Sequence, residues 1–170
     1  MTLPKMLRNA KILAQQELAP RVFFLVVEAP DIAQAAEPGQ FVQLRIPLGE
    51  FILRRPVGVA AVDRKKGSVA FIYRVVGKGT KALAALMPGE MVNVLGPLGH
   101  GFHMDYEHPL IVGGGMGLSP LLYYAAAMQK KGDVLIGGRS EEEVFWKDLF
   151  DELCGEVFIS TDDGSLGFKG

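Results

Sequence analysis

Residues 111–120 read Ile111-Val112-Gly113-Gly114-Gly115-Met116-Gly117-Leu118-Ser119-Pro120, and this stretch decides the fold of the C-terminal part of the chain. The apolar run over residues 109–112 predicts a buried strand, and the alanine-rich apolar stretch 121–128 predicts a helix. Ser119 suits an N-cap, and Pro120 suits the first helical position, where a missing N–H costs nothing. Glycines between a strand and a helix let the backbone approach a ligand, while the helix N-terminus presents free N–H groups to a phosphate. The dinucleotide fingerprint G-x-G-x-x-G is not met, because Leu118 stands at the third glycine. On this stretch alone a nucleotide site and a tight packed turn both stay open.

Downstream, residues 133–136 predict a strand, 141–153 a helix and 156–160 a strand. With the opening stretch this makes β-α-β-α-β, the half-unit of a doubly wound parallel sheet. Upstream the rhythm differs. Residues 10–13, 21–28, 41–46, 57–62, 69–76 and 91–95 predict strands bounded by turn residues, with one short helix over 81–86. Lys65-Lys66-Gly67-Ser68 reads as a hairpin tip, and the region around Pro30, Pro38 and Gly39 as a turn. Short strands at this spacing predict an antiparallel β-barrel. The expected organisation is therefore a barrel over residues 1–104 and a partial α/β domain over 105–170.

Composition narrows the function classes. Of 170 residues 49% are apolar and 22% charged, enough to bury a core. A net charge of −1 argues against nucleic acid or an anionic membrane surface as partner. No apolar run is long enough to span a membrane, and the first eight residues lack the apolar core of a signal peptide. Cys154 is the only cysteine, which excludes an internal disulfide or a cysteine-held cluster within this chain. A cytoplasmic location is expected.

Four further stretches carry candidate chemistry. Leu53-Arg54-Arg55-Pro56-Val57-Gly58 sets adjacent arginines at the start of a strand, where one can fork onto a pyrophosphate; a solvated basic turn is the alternative. Tyr73-Arg74-Val75-Val76-Gly77-Lys78-Gly79-Thr80 ends like an anion nest at a helix start, without P-loop spacing; a plain strand-to-helix turn fits it too. Gly137-Gly138-Arg139-Ser140 again joins a strand to a helix and offers an anion site, or only a cap at Ser140. Thr161-Asp162-Asp163-Gly164-Ser165 is either an acidic turn or a group reaching a ribose or nicotinamide. His100, His103 and His108 cluster near a glycine-rich loop, but their spacing matches no common metal site, and none is expected.

Taken in order, these motifs and Leu95-Gly96-Pro97-Leu98-Gly99 resemble the ferredoxin–NADP reductase superfamily. Within it, the chain is similar to the electron-transfer subunit of the NAD-dependent dihydroorotate dehydrogenases of pyrimidine biosynthesis. The resemblance implies a flavoprotein oxidoreductase subunit without a catalytic side chain, binding FAD and NAD(H), with an FMN-containing catalytic dehydrogenase subunit as its partner in a hetero-oligomer. It implies that Arg55 holds the flavin pyrophosphate and that Pro56, Val57 and Gly58 run along the isoalloxazine. Ile72, Tyr73 and Arg74 match a second flavin segment, and Gly79 with Thr80 a phosphate turn. Gly114, Gly115, Met116, Gly117, Gly138 and Arg139 match the nicotinamide-dinucleotide side. Gly58 stands where the family usually has serine. The family's four cysteines for a [2Fe-2S] cluster are absent, so a truncated chain without a cluster is expected, its first parallel strand left as an edge. A flavin subunit of a hydrogenase or other iron–sulfur oxidoreductase, and a non-catalytic docking module, are the competing readings.

Overall fold

The structure, a computed structural model, describes residues 5–47 and 52–170; the first four residues of the stretch read for a signal peptide lie outside them. Strands β1 (Met6–Ala19), β2 (Val22–Glu28), β3 (Phe41–Arg45), β4 (Arg55–Asp63), β5 (Ser68–Arg74) and β6 (Met91–Leu98) close into a barrel in the order β1-β2-β5-β4-β3-β6. Every neighbouring pair is antiparallel, and closure leaves no unpaired edge. Alternate side chains fill the interior, among them Ile12, Leu25, Val42, Val59, Phe71 and Val94. β1 is far longer than the expected 10–13, because register shifts between Ile12 and Ala14 and between Glu17 and Ala19 break its alternation without ending its pairing.

Helix α1 (Pro30–Ala35) forms where a turn was expected, with Pro30 in its first turn and Ile32 and Ala33 buried. Helix α2 (Lys78–Ala84) begins three residues before the expected 81–86. The Thr80 hydroxyl accepts hydrogen bonds from the N–H of Val76 at 2.9 Å and of Gly77 at 3.2 Å, closing the first turn at Gly77.

The C-terminal strands β7 (Leu110–Gly114), β8 (Asp133–Gly138), β9 (Val157–Thr161) and β10 (Phe168–Lys169) form a parallel sheet in the order β10-β9-β8-β7. The two-residue β10 was not expected, and β7 is an edge. Helix α3 (Leu118–Ala127) follows a 3₁₀ turn over Gly115–Gly117. Ser119 is therefore not the N-cap; Gly117 is, and Pro120 is third in the helix, where its missing N–H is still harmless. The helix expected over 141–153 becomes a 3₁₀ turn, Glu141–Glu143, and a short α4, Lys147–Asp151. Val144 and Trp146, two residues apart, are both buried, and one helical face cannot present residues at that spacing.

Two right-handed crossovers stepping in one direction place α3 and α4 on the same face of the sheet. There Ile111, Val134, Ile136 and Ile159 meet Leu118, Trp146 and Phe150. On the other face Val112, Leu135 and Phe158 stand in register, with Val112 60% exposed. The helical side docks on the barrel, since Val22, Ala60 and Ile72 of the barrel's outer wall belong to the same buried cluster. Tyr123 of α3 reaches the other way, into the barrel's own cluster. Its hydroxyl donates to the Ala36 carbonyl at 3.0 Å and accepts from Arg64 Nη2 at 3.2 Å.

Candidate functional site

Arg55 opens β4 at the barrel rim, and Gly79 lies in the first turn of α2. A Cβ built on Gly79 would stand 2.3 Å from Arg55 Nη2, 2.5 Å from Nε and 2.6 Å from Cζ. The guanidinium thus lies on the glycine's bare α-carbon, fixed beside the helix N-terminus and the exposed Lys78. Arg55 Nη1 also donates to the Leu53 carbonyl. The Arg55 guanidinium against the first turn of α2 makes a cradle suited to a pyrophosphate, and it is one that any side chain at position 79 would fill. The residues present fit the diphosphate of FAD.

Beyond Arg55 the strand alternates. Val57 points into the barrel core, while Pro56 and Gly58 face outward. A Cβ on Gly58 would lie 2.9 Å from Pro120 Cδ, so this point of β4 abuts the first turn of α3. On β5, Tyr73 turns inward, stacks on Phe23 at 5.9 Å and donates to Gln15 Oε1 at 3.2 Å. Burial pushes its phenol well above the ordinary range. Val57 and Tyr73 therefore offer only backbone to anything lying outside the barrel. Ile72 faces outward but is 2% exposed beneath the α/β unit. Thr80 is buried, its hydroxyl used in the α2 turn.

The second group lies at the carboxyl ends of β7, β8 and β9, where an open cleft of about 530 Å³ takes in Gly114, Gly138 and Arg139 but not Gly115, Met116 or Gly117. Gly114, Gly138, Arg139, Glu143, Ser160 and Asp162 line it, in the place where ligands bind parallel α/β sheets. Gly115 has φ +54°, and a Cβ on it or on Gly117 would meet open space. Met116 is half-buried against the core shared with the barrel. Gly138 has no room for a side chain, because a Cβ there would be 2.8 Å from Val144 Cγ1.

Between the two groups stands Glu143, a residue that no sequence motif marks. Arg139 reaches it from the backbone N–H at 3.3 Å and from Nε at 3.1 Å, and Arg139 Nη2 pairs with Oε1. Arg74 Nη1, from the barrel, reaches the same Oε1 at 3.3 Å. These donors, Arg139 first, hold the Glu143 carboxyl down at about 2. Nothing in the local sequence signals the contact, because Arg74 and Glu143 are 69 residues apart. Arg74 Nε is buried without a hydrogen-bond partner.

Several of the other candidates are used in structure. Phe102, at the end of the glycine-rich loop, donates its N–H to the Pro38 carbonyl at 2.8 Å and covers Gly39. Asp163 Oδ1 accepts from the Ser165 N–H and hydroxyl, closing the acidic turn on itself. Burial raises the Cys154 thiol, which lies 2% exposed. Among the described residues no group of three His, Cys, Asp or Glu side chains is placed to hold a metal ion.

A closed antiparallel barrel with an arginine cradle at its rim, docked on a parallel sheet with glycine-rich strand ends, is the ferredoxin-reductase-like fold. The chain belongs to the oxidoreductase FAD-binding domain family, whose model matches residues 9–103. It is 40% identical over 168 residues to the electron transfer subunit of dihydroorotate dehydrogenase B (NAD(+)) from Desulforamulus reducens, covering 95% of this chain and 64% of that protein. The subunit of the same name from Bacillus cereus is 39% identical over 171 residues, covering 96% and 66%. The chain thus spans just under two thirds of the length of these relatives. Among solved structures, an NADH-dependent reduced ferredoxin-NADP oxidoreductase studied for flavin-based electron bifurcation superposes with a TM-score of 0.83 at 31% identity, over 96% of this chain and 60% of that one. The ferredoxin reductase of carbazole 1,9a-dioxygenase shares the fold, with a TM-score of 0.82 at 20% identity over 100% and 56%.

Proposed function

We propose that the chain is the FAD-binding and partial NAD(H)-binding portion of the electron-transfer subunit of an NAD-dependent dihydroorotate dehydrogenase. The placement of the Arg55 guanidinium on Gly79 at the start of α2 carries this reading, and the likeness to the Desulforamulus and Bacillus subunits supports it. The two functions divide near residues 104 and 105. The partner would be an FMN-containing catalytic subunit in the cytoplasm, and Cys154, the one cysteine of the sequence, gives this chain no ligand set for a [2Fe-2S] cluster. No helix among the described residues is long and apolar enough to cross a membrane.

The bound flavin supplies the redox chemistry; this chain supplies position and charge. The Arg55 guanidinium and the backbone N–H groups of Gly79 and Thr80 at the start of α2 would hold the diphosphate. The outer edge of β4, with Pro56, the Val57 backbone and Gly58, would lie along the flavin ring. Ile72, Tyr73 and Arg74, on the neighbouring strand β5, would form a second segment beside the flavin. Gly114, Gly115, Met116 and Gly117 would let the dinucleotide approach the backbone, and Gly138 with Arg139 would border it at the end of β8. Pro120 against Gly58 brings the two binding regions together.

Titrating FAD into the purified protein, read by flavin absorption and fluorescence, tests the proposal. Saturable uptake, stronger for FAD than for FMN and lost in Arg55→Ala, is the expected result. Protein that takes up no FAD would overturn it.

A further inference from the structure

Glu143 lines two cavities at once. One is the opening at the carboxyl ends of β7–β9; the other, about 310 Å³, lies against the barrel between Arg21, Arg74 and Val76. Its side chain is only 19% exposed, and it receives hydrogen bonds from Arg74 on one side and Arg139 on the other. Among the described residues lining the strand-end cavity, Arg139 is the one cation, with Glu143 and Asp162 as the two carboxylates. An anion entering there meets an arginine already engaged by a carboxylate. That carboxylate does not swing aside freely, because the barrel's Arg74 holds its other flank.

We propose that Glu143, anchored by Arg74 and assisted by Asp162, is a specificity-determining residue. It keeps Arg139 neutralised, so that the strand-end cavity takes an adenine dinucleotide with a free ribose 2′-hydroxyl and rejects one with a 2′-phosphate. The inference rests on the dinucleotide reading of the cavity. Its physics is that of charge. A 2′-phosphate adds about two negative charges at neutral pH, and like charges brought together at close range are costly. A lone arginine would accommodate that phosphate, whereas an acidic group accepts a hydrogen bond from the ribose hydroxyl. Glu143 is held well below neutrality by its Arg139 and Arg74 donors, so it stays charged at the neutral pH of a binding titration. The constraint also joins the two halves of the molecule, since the residue screening Arg139 is held in place by a strand of the barrel.

Calorimetric titration of the full chain with ADP and with 2′,5′-ADP tests this directly. The wild type is expected to favour ADP, and Glu143→Gln to shift the ratio of the two affinities toward 2′,5′-ADP by about tenfold or more. Glu143→Asp, which keeps the charge, retains the wild-type preference. Asp162→Asn, at an exposed position, shifts the ratio the same way by less and reads the site even if Glu143→Gln fails to fold. A purely structural Glu143 would weaken both ligands alike. Binding of both with an unchanged ratio in Glu143→Gln and Asp162→Asn overturns the inference and leaves the dinucleotide reading standing. Absence of ADP binding in the wild type overturns both.

Discussion

The ring of Pro120, in the first turn of α3, lies 2.9 Å from where a Cβ on Gly58 of β4 would stand. The proline ring cannot rotate away, and behind it α3 is pinned to the barrel through Tyr123. Gly58 is therefore the residue that lets α3 seat against β4 at this point. Gly58→Ser is expected to destabilise the protein by about 1–3 kcal/mol through overpacking. Thermal unfolding followed by circular dichroism checks it; an unchanged midpoint would show that α3 yields without strain.

The cradle makes a sharper prediction for binding. Gly79→Ala puts a methyl group 2.3 Å from Arg55 Nη2, so the guanidinium must leave its place. Because a charge-assisted hydrogen bond contributes about 1.5–3 kcal/mol, FAD affinity should fall by roughly tenfold to a hundredfold. Arg55→Ala should fall to the same level, and the double variant no further. Flavin fluorescence titration of the three variants measures this, and additive losses would mean that the two residues act separately.

Legibility in the sequence followed how many faces of each element water touches. The barrel strands and the glycine turn after β7 were readable, since their turn residues and apolar runs are local signals. β5 was readable as a strand but not for direction. Both its faces are buried, one in the barrel and one under α3, so Ser68–Arg74 shows no alternation to reveal that Tyr73 points inward. The 141–153 segment misled because its buried residues, Val144, Trp146 and Phe150, answer to the barrel wall and the sheet rather than to one helical stripe. Glu143 was invisible for a related reason, because its meaning lies in Arg74, supplied by the other half of the chain.

Tyr123 gives a measure of the contact between the halves. It is 5% exposed, sits in the barrel's core cluster and hydrogen-bonds to Ala36 and Arg64. Tyr123→Phe keeps the packing and removes the hydroxyl. Arg64 Nη2 still reaches the Ala36 carbonyl at 3.2 Å, so the cost is expected near ~1 kcal/mol. Tyr123→Ala also opens a cavity, for about 3–5 kcal/mol. Denaturant unfolding distinguishes them; equal losses would mean that the hydroxyl, not the ring, holds α3.

The Arg74–Glu143–Arg139 contact has a signature in pH. The Glu143 carboxyl is drawn from its ordinary 4.5 to about 2 in the folded protein, chiefly by Arg139 and further by Arg74. A group whose folded value is depressed contributes stability that is fully present above its unfolded value and is lost as pH falls through the folded one. The wild type should therefore lose this contribution between about pH 4.5 and 2. Exposed carboxylates such as Asp63 and Asp163 are also lowered, by their own turns, and add a background common to all variants. The informative quantity is thus the difference between the wild type and Glu143→Gln across that window. It should be largest above pH 4.5 and shrink toward pH 2, measured as the unfolding midpoint at each pH. A difference constant with pH would place the stabilising role of Glu143 in packing rather than in its charge.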